Sequence, residues 1–140
     1  MRDPEVAPSK PAERPPQSGR RLILVVEDDA DQRSAFIQRL RFEGYDAIAA
    51  ADVPGAVQQA RVRKPELILL DIGLPGGDGY LVMERLHSMP ELADIPIVML
   101  SARDAAKERP RALQSGAVGY YQKPVSNEVL RAAIASALAS

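Results

Sequence analysis

Apolar residues along this chain cluster into short runs that alternate with stretches of helical spacing. "LILVV" (22–26), "LILL" (67–70) and "IPIVML" (95–100) are continuous apolar runs, read as strands buried on both faces. "DAIAA" (46–50) and "VGYYQ" (118–122) are a weaker second strand and a fifth. Between them, 30–43 places Arg33, Phe36, Ile37 and Leu40 at helical spacing and closes on Gly44. Residues 54–63 predict a short helix with Pro54 at its first position and Val57 and Ala60 inward. A third helix over 79–88 aligns Tyr80, Val82, Met83 and Leu86, and 110–115 holds a short fourth ending at Gly116. Ser126 caps a last helix whose apolar side includes Val129, Leu130, Ile134 and Leu138.

Five strands, each followed by a helix, predict an α/β, doubly wound, five-stranded parallel sheet with helices on both faces. Residues 1–20, "MRDPEVAPSKPAERPPQSGR", break the alternation. Prolines recur there and only Val6 is a sizeable apolar side chain, too little buried surface to offset ordering entropy. That segment is expected to be a Pro-rich flexible tail or linker, and 21–140 a single domain.

Composition narrows the function. The 140 residues are 46% hydrophobic and 26% charged, with a net charge of −1, so no broad basic field is available for nucleic acid or an anionic membrane. The absence of cysteine removes disulfides, thiolate chemistry and cysteine-bound zinc. No apolar stretch approaches a membrane span and Met1 leads into no signal sequence, so a cytoplasmic location is expected.

In open parallel sheets, functional groups gather at the carboxyl ends of the strands. Strand one ends in Glu27-Asp28-Asp29, strand three in Asp71, strand four in Ser101, and strand five just before Lys123-Pro124. Carboxylates held together repel, and a cation among them relieves this. All-oxygen donors suit Mg²⁺, with Mn²⁺ also compatible; Mg²⁺ keeps several waters and accepts phosphate oxygens. A lysine and a hydroxyl opposite the metal are anion holders, and a carboxylate such as Asp71 is able to form an acyl phosphate.

The motifs "ILVVEDD" (23–29), "LILLDIGLPGGDGY" (67–80), "IVMLSA" (97–102) and "GYYQKP" (119–124) occur in order, each at a strand end. In them the chain resembles the receiver domain of two-component response regulators over about residues 21–139. The resemblance implies the flavodoxin-like strand order 2-1-3-4-5. It implies that Asp71 accepts phosphate from a phosphohistidine on a histidine kinase or histidine phosphotransfer protein. Asp28 would bind Mg²⁺ directly, Glu27 through water, and the Gly73 backbone carbonyl would be a further ligand. Ser101 would bond a phosphate oxygen, Lys123 would pair with the acyl phosphate, and Tyr120 would be the switch aromatic that moves inward as Ser101 moves. The Lys123-Pro124 bond is expected to be cis. The fourth helix, fifth strand and last helix would meet a downstream protein, with dimerisation left open and no direct binding of nucleic acid or membrane.

Such a domain would catalyse only its own phosphorylation and dephosphorylation. Two other readings compete: a pseudo-receiver that binds partners without phosphorylation, and a Mg²⁺-dependent aspartyl phosphatase. The phosphatase wants a second acid two residues after its nucleophile, where this chain has Gly73. Gly73 and Arg103 occupy positions that help set acyl-phosphate lifetime in the family. Pro110 is expected to begin a shortened fourth helix, leaving 102–109 looser. Asp29 and Asp31 read as helix-capping or exposed acids, and His87, the only histidine, as an exposed one.

Overall fold

The computed structural model describes residues 19–139. The tail expected over 1–20 therefore lies outside the described residues except for its last two positions. Five strands form one parallel sheet: β1 (Leu22–Val26), β2 (Asp46–Ala50), β3 (Leu67–Leu70), β4 (Ile97–Ser101) and β5 (Gly119–Gln122). Their spatial order is β2-β1-β3-β4-β5, the expected one. The helices are α1 (Ala30–Phe42), α2 (Val53–Arg63), α3 (Gly79–His87), α4 (Ala105–Gln114) and α5 (Asn127–Ala139). A small antiparallel hairpin, Gly73–Leu74 with Gly77–Asp78, lies between β3 and α3.

The central strands are buried on both faces because alternate side chains feed two cores. Leu24, Val26, Ile68, Leu70, Ile97 and Met99 meet Ala56 and Ala60 of α2, Val82, Met83 and Leu86 of α3, and Ala112 of α4. Ile23, Val25, Leu67, Leu69, Val98 and Leu100 meet Phe36 and Leu40 of α1 and Leu130, Ile134 and Ala137 of α5. Each fully buried Leu or Ile contributes roughly 1.5–3 kcal/mol, so these rows fix which residue ends each strand.

Helix starts follow one device. Asp29, Asp52, Asp78 and Asp104 cap α1 to α4, accepting from the backbone N–H of Gln32, Gly55, Leu81 and Ala106 at 2.9, 2.7, 2.9 and 3.3 Å. Ser126 Oγ accepts from Val129 N–H at 3.1 Å ahead of α5. Such caps are worth about 1 kcal/mol each.

The fourth helix departs from the sequence expectation. It begins at Ala105, behind the Asp104 cap, and Pro110 sits in its interior rather than at its start. The ring removes one donor, the N–H that would reach Ala106, and the exposed helix tolerates the loss. Residues 105–109 are therefore helical, not loose. Val129 also departs: it is 43% exposed on α5 instead of packing inward with Leu130 and Ile134.

Arginines cover backbone carbonyls on both outer strands. Arg41 donates to Ala47 O on β2 at 3.2 Å, and Arg109 donates through Nε and a terminal nitrogen to Tyr120 O on β5 at 3.2 and 3.0 Å. Among the described residues, no helix is long and apolar enough to cross a membrane.

Candidate functional site

Strand register sets the site. Val26 lies beside Leu70, so the residues that follow them, Glu27 and Asp71, leave the sheet at the same level. Glu27 N–H donates to Ala50 O at 3.0 Å and Asp71 N–H donates to Val26 O at 3.1 Å, extending the ladder to the acids themselves. Carboxylate oxygens of Glu27, Asp28 and Asp71 all lie within 4.8 Å of one another.

Lys123, just beyond β5, reaches into this cluster. Its Nζ donates to Glu27 Oε1 at 2.5 Å, Asp71 Oδ2 at 3.1 Å and Gln32 Oε1 at 2.7 Å. The other Asp71 oxygen accepts from Ile72 N–H at 2.6 Å, and the other Glu27 oxygen from Asp29 N–H at 3.1 Å. Glu27 is 3% exposed. Its burial pushes the carboxyl pKa up, against the hydrogen bonds from Lys123 and Asp29 N–H that favour the anion; the Asp71 charge adds to the rise. For Lys123, burial opposes the charge, but the Glu27 hydrogen bond and the Asp71 charge and hydrogen bond outweigh it and raise the pKa. The pocket thus holds an ammonium ion among acids.

Asp28 is exposed at the mouth, and its backbone carbonyl accepts from Arg33 at 3.3 Å, as does that of Glu27 at 3.0 Å. Asp29 is the α1 cap and Asp31 is exposed in the first turn, so neither joins the cluster. Gly73 is exposed, and a Cβ built on it would meet nothing within 4 Å. Gly79 is the glycine the site cannot replace: a Cβ there would lie 2.4 Å from the Asp71 carbonyl oxygen. Its N–H donates to Ile72 O at 2.7 Å, holding the loop after Asp71 against α3.

Ser101 is buried at the end of β4, its Oγ accepting from Arg103 N–H at 3.3 Å. Tyr120 is 1% exposed, more buried than a half-buried strand aromatic would be, and its hydroxyl donates to Arg103 O at 2.7 Å. Burial raises its pKa, with the Ser101 hydroxyl opposing and the charges of Glu108 and Asp71 adding. The aromatic ring is therefore already inward here. The Lys123-Pro124 bond is cis.

Three parts of the environment carry no strand-end signal in the sequence. One is Gln32, an exposed residue of the first turn of α1 that accepts from Lys123. Another is the tie between α3 and α4: Tyr80 donates to Glu108 at 2.9 Å, while Arg111 stacks 3.8 Å from the centre of the Tyr80 ring. Burial first, then the Glu108 hydrogen bond, pushes the Tyr80 phenol up to about 12. The last is Gln122, whose side chain accepts from Ala105 N–H at 2.9 Å.

A parallel sheet in this order, with an acid cluster and a lysine at its carboxyl edge, defines a receiver-like class of α/β protein. The response regulator receiver domain family matches residues 23–135, and the chain belongs to that family, the receiver domains of two-component response regulators. It is 42% identical over 114 residues to the phosphate regulon transcriptional regulatory protein PhoB of Escherichia coli, covering 81% of this chain and 50% of that protein. It thus spans about half the length of that relative. A crystal structure of a response regulator from Chloroflexus aurantiacus aligns over 86% of this chain and 99% of the other, with a TM-score of 0.82 at 30% identity. The BeF3-activated N-terminal receiver domain of Klebsiella pneumoniae RstA aligns over 85% and 99%, with a TM-score of 0.79 at 29% identity.

Proposed function

We propose that this receiver domain is a phosphoacceptor in a two-component relay. Asp71 takes a phosphoryl group from a phosphohistidine on a histidine kinase or histidine phosphotransfer protein. The observation that carries the reading is the convergence of Glu27, Asp28 and Asp71 within 4.8 Å, with Glu27 and Asp71 sharing Lys123.

Three close carboxylates against one ammonium leave excess negative charge, and an all-oxygen donor set fits a hard divalent cation. Asp28 and Asp71 would hold Mg²⁺ with the Gly73 carbonyl, and Glu27 through water. Bound there, the ion supplies charge neutralisation for the incoming phosphoryl oxygens. The chain's own groups do the rest. β3 fixes Asp71 as nucleophile, and the Ile72 N–H orients its carboxylate. Lys123 stands ready to pair with a phosphoryl oxygen, and Ser101 is the hydroxyl that bonds another. The domain catalyses no reaction beyond gaining and losing this group. It works in the cytoplasm, and a partner protein or output domain reads the α4, β5 and α5 face. PhoB is described as a transcriptional regulator. In our reading any such output lies outside this domain, which itself binds no nucleic acid.

The direct experiment treats the protein with Mg²⁺ and acetyl phosphate and weighs it intact. A gain of one phosphoryl mass is expected, absent in Asp71→Asn and after chelation. No gain from acetyl phosphate or from any phosphohistidine donor would overturn the proposal.

A further inference from the structure

The Lys123 ammonium has three hydrogens, and the structure uses all three: Glu27, Asp71 and Gln32 each accept one. The Gln32 backbone N–H bonds the Asp29 cap at 2.9 Å, which fixes the residue in the first turn of α1. A phosphoryl group arriving at Asp71 brings new acceptor oxygens, and Lys123 pairs with one only by giving up a present partner. All three bonds are charge-assisted by the ammonium, and the two carboxylates add a Coulomb attraction that a neutral amide lacks. Glu27 is buried and charged, whereas Gln32 is exposed and neutral. Asp71 is the reacting group and still offers an oxygen to Lys123 once it carries the phosphoryl group, so the partner surrendered is Gln32.

Resting on the phosphoacceptor reading of the same site, we infer that Gln32 is a positioning residue that acts as a latch. Its carbonyl occupies the lysine hydrogen that the phosphoryl group must take, and so it slows phosphorylation of Asp71. In the step it governs, an Asp71 carboxylate oxygen forms the new O–P bond as the bond from phosphorus to the donor's leaving atom breaks, an imidazole nitrogen in a phosphohistidine or an acetate oxygen in acetyl phosphate. With acetyl phosphate the leaving group is acetate, and no proton is required. Gln32 makes no contact with the reacting atoms; it acts through Lys123.

The test compares the full chain with Gln32→Met, similar in length but a poor acceptor, and Gln32→Glu, a stronger one. Phosphorylation by acetyl phosphate at saturating Mg²⁺ and decay of the product are timed separately by intact mass. Gln32→Met should phosphorylate faster by about two- to tenfold, the worth of one modest hydrogen bond, with decay changed less than twofold. Gln32→Glu should be slower than the unmodified protein. A Met variant no faster than the parent, or a Glu variant that outpaces it, overturns the latch. A second measurement needs no phosphodonor: solvent exchange of the Lys123 ammonium protons by NMR, which should quicken in Gln32→Met at unchanged thermal stability. Unchanged exchange overturns the contact itself. If quickened exchange accompanies a failure of every variant and the parent to phosphorylate, the phosphoacceptor reading falls while the contact stands; the latch, which needs that step, falls with the reading.

Discussion

The carboxyl edge of β1 and β3 and the α4 helix are held by different kinds of force. At the first, buried strands deliver Glu27 and Asp71 to one level, and backbone hydrogen bonds continue to the acids themselves. At the second, Ala112 is the residue of α4 that is buried, and a proline in the helix interior removes one backbone donor. Polar side-chain ties hold it instead: Tyr80 to Glu108, Arg109 to Tyr120 O, and Gln122 to Ala105 N–H. Burial resists small perturbations, because displacing a packed strand empties a core. Polar ties on a solvated helix exchange readily for water, so each contributes only about 0.5–1.5 kcal/mol. In the phosphoacceptor reading proposed above, a fixed Asp71 and a loosely tethered α4 would suit a two-state signal, since the helix would then shift for a small free-energy change.

Four substitutions probe that contrast, from the largest expected effect to the smallest. Lys123→Met removes the ammonium between buried Glu27 and Asp71 and should cost on the order of 3 kcal/mol at neutral pH by denaturant unfolding. Its loss should shrink in acid. Glu27 has a raised folded pKa, so its protonated form is favoured in the folded state, and folding gains stability as pH falls toward 4.5. The parent should show the converse at high pH. Lys123, raised above 10.5, stabilises the fold below that value, and the contribution disappears as pH climbs through its folded pKa. A parent and Lys123→Met with parallel alkaline unfolding curves would contradict this.

Gly79→Ala places a methyl against the Asp71 carbonyl and should destabilise by about 1–3 kcal/mol while slowing phosphorylation at least tenfold. Normal kinetics in that variant would show that the strand end carrying Asp71 is less rigid than argued. Pro110→Ala should act oppositely on the helix. It restores a donor for Ala106 O, adds about 1–2 kcal/mol, and slows amide exchange in α4 without slowing exchange in β3. Tyr80→Phe keeps the ring against Arg111 but cuts the bond to Glu108. A loss of about 1 kcal/mol or less is expected, with faster exchange confined to α4. Faster exchange spreading into β1 and β3 would erase the distinction between the two regions. A fifth expectation concerns lifetime alone: Gly73→Asn fills open space and should alter dephosphorylation more than phosphorylation, and equal changes in both rates would refute it.

The same contrast explains what the sequence disclosed. Apolar runs mark buried strands, and whatever polar residue follows a run stands at a strand end; Glu27, Asp71 and Ser101 were legible on that ground, as was the sheet order through the family resemblance. Lys123 is legible by its offset from β5. The start of α4 escapes the linear pattern because a proline suits a first helical position, whereas the fold caps the helix with Asp104, one residue before Ala105. Gln32 leaves no mark in a linear pattern: one polar residue on an exposed turn looks like any other until folding brings Lys123 to it. Tyr80 reads as an apolar-face residue, and its bond to Glu108 depends on how α3 and α4 lie side by side.

The arginines on the outer strands bear on how another molecule is able to meet this one. An unpaired strand border invites a visiting peptide to lengthen the sheet by main-chain pairing. Arg41 already occupies Ala47 O at one border, and Arg109 occupies Tyr120 O at the other. Main-chain pairing at either position must first displace a guanidinium. Recognition of the β5 side would therefore fall to side-chain relief on the flanking helices.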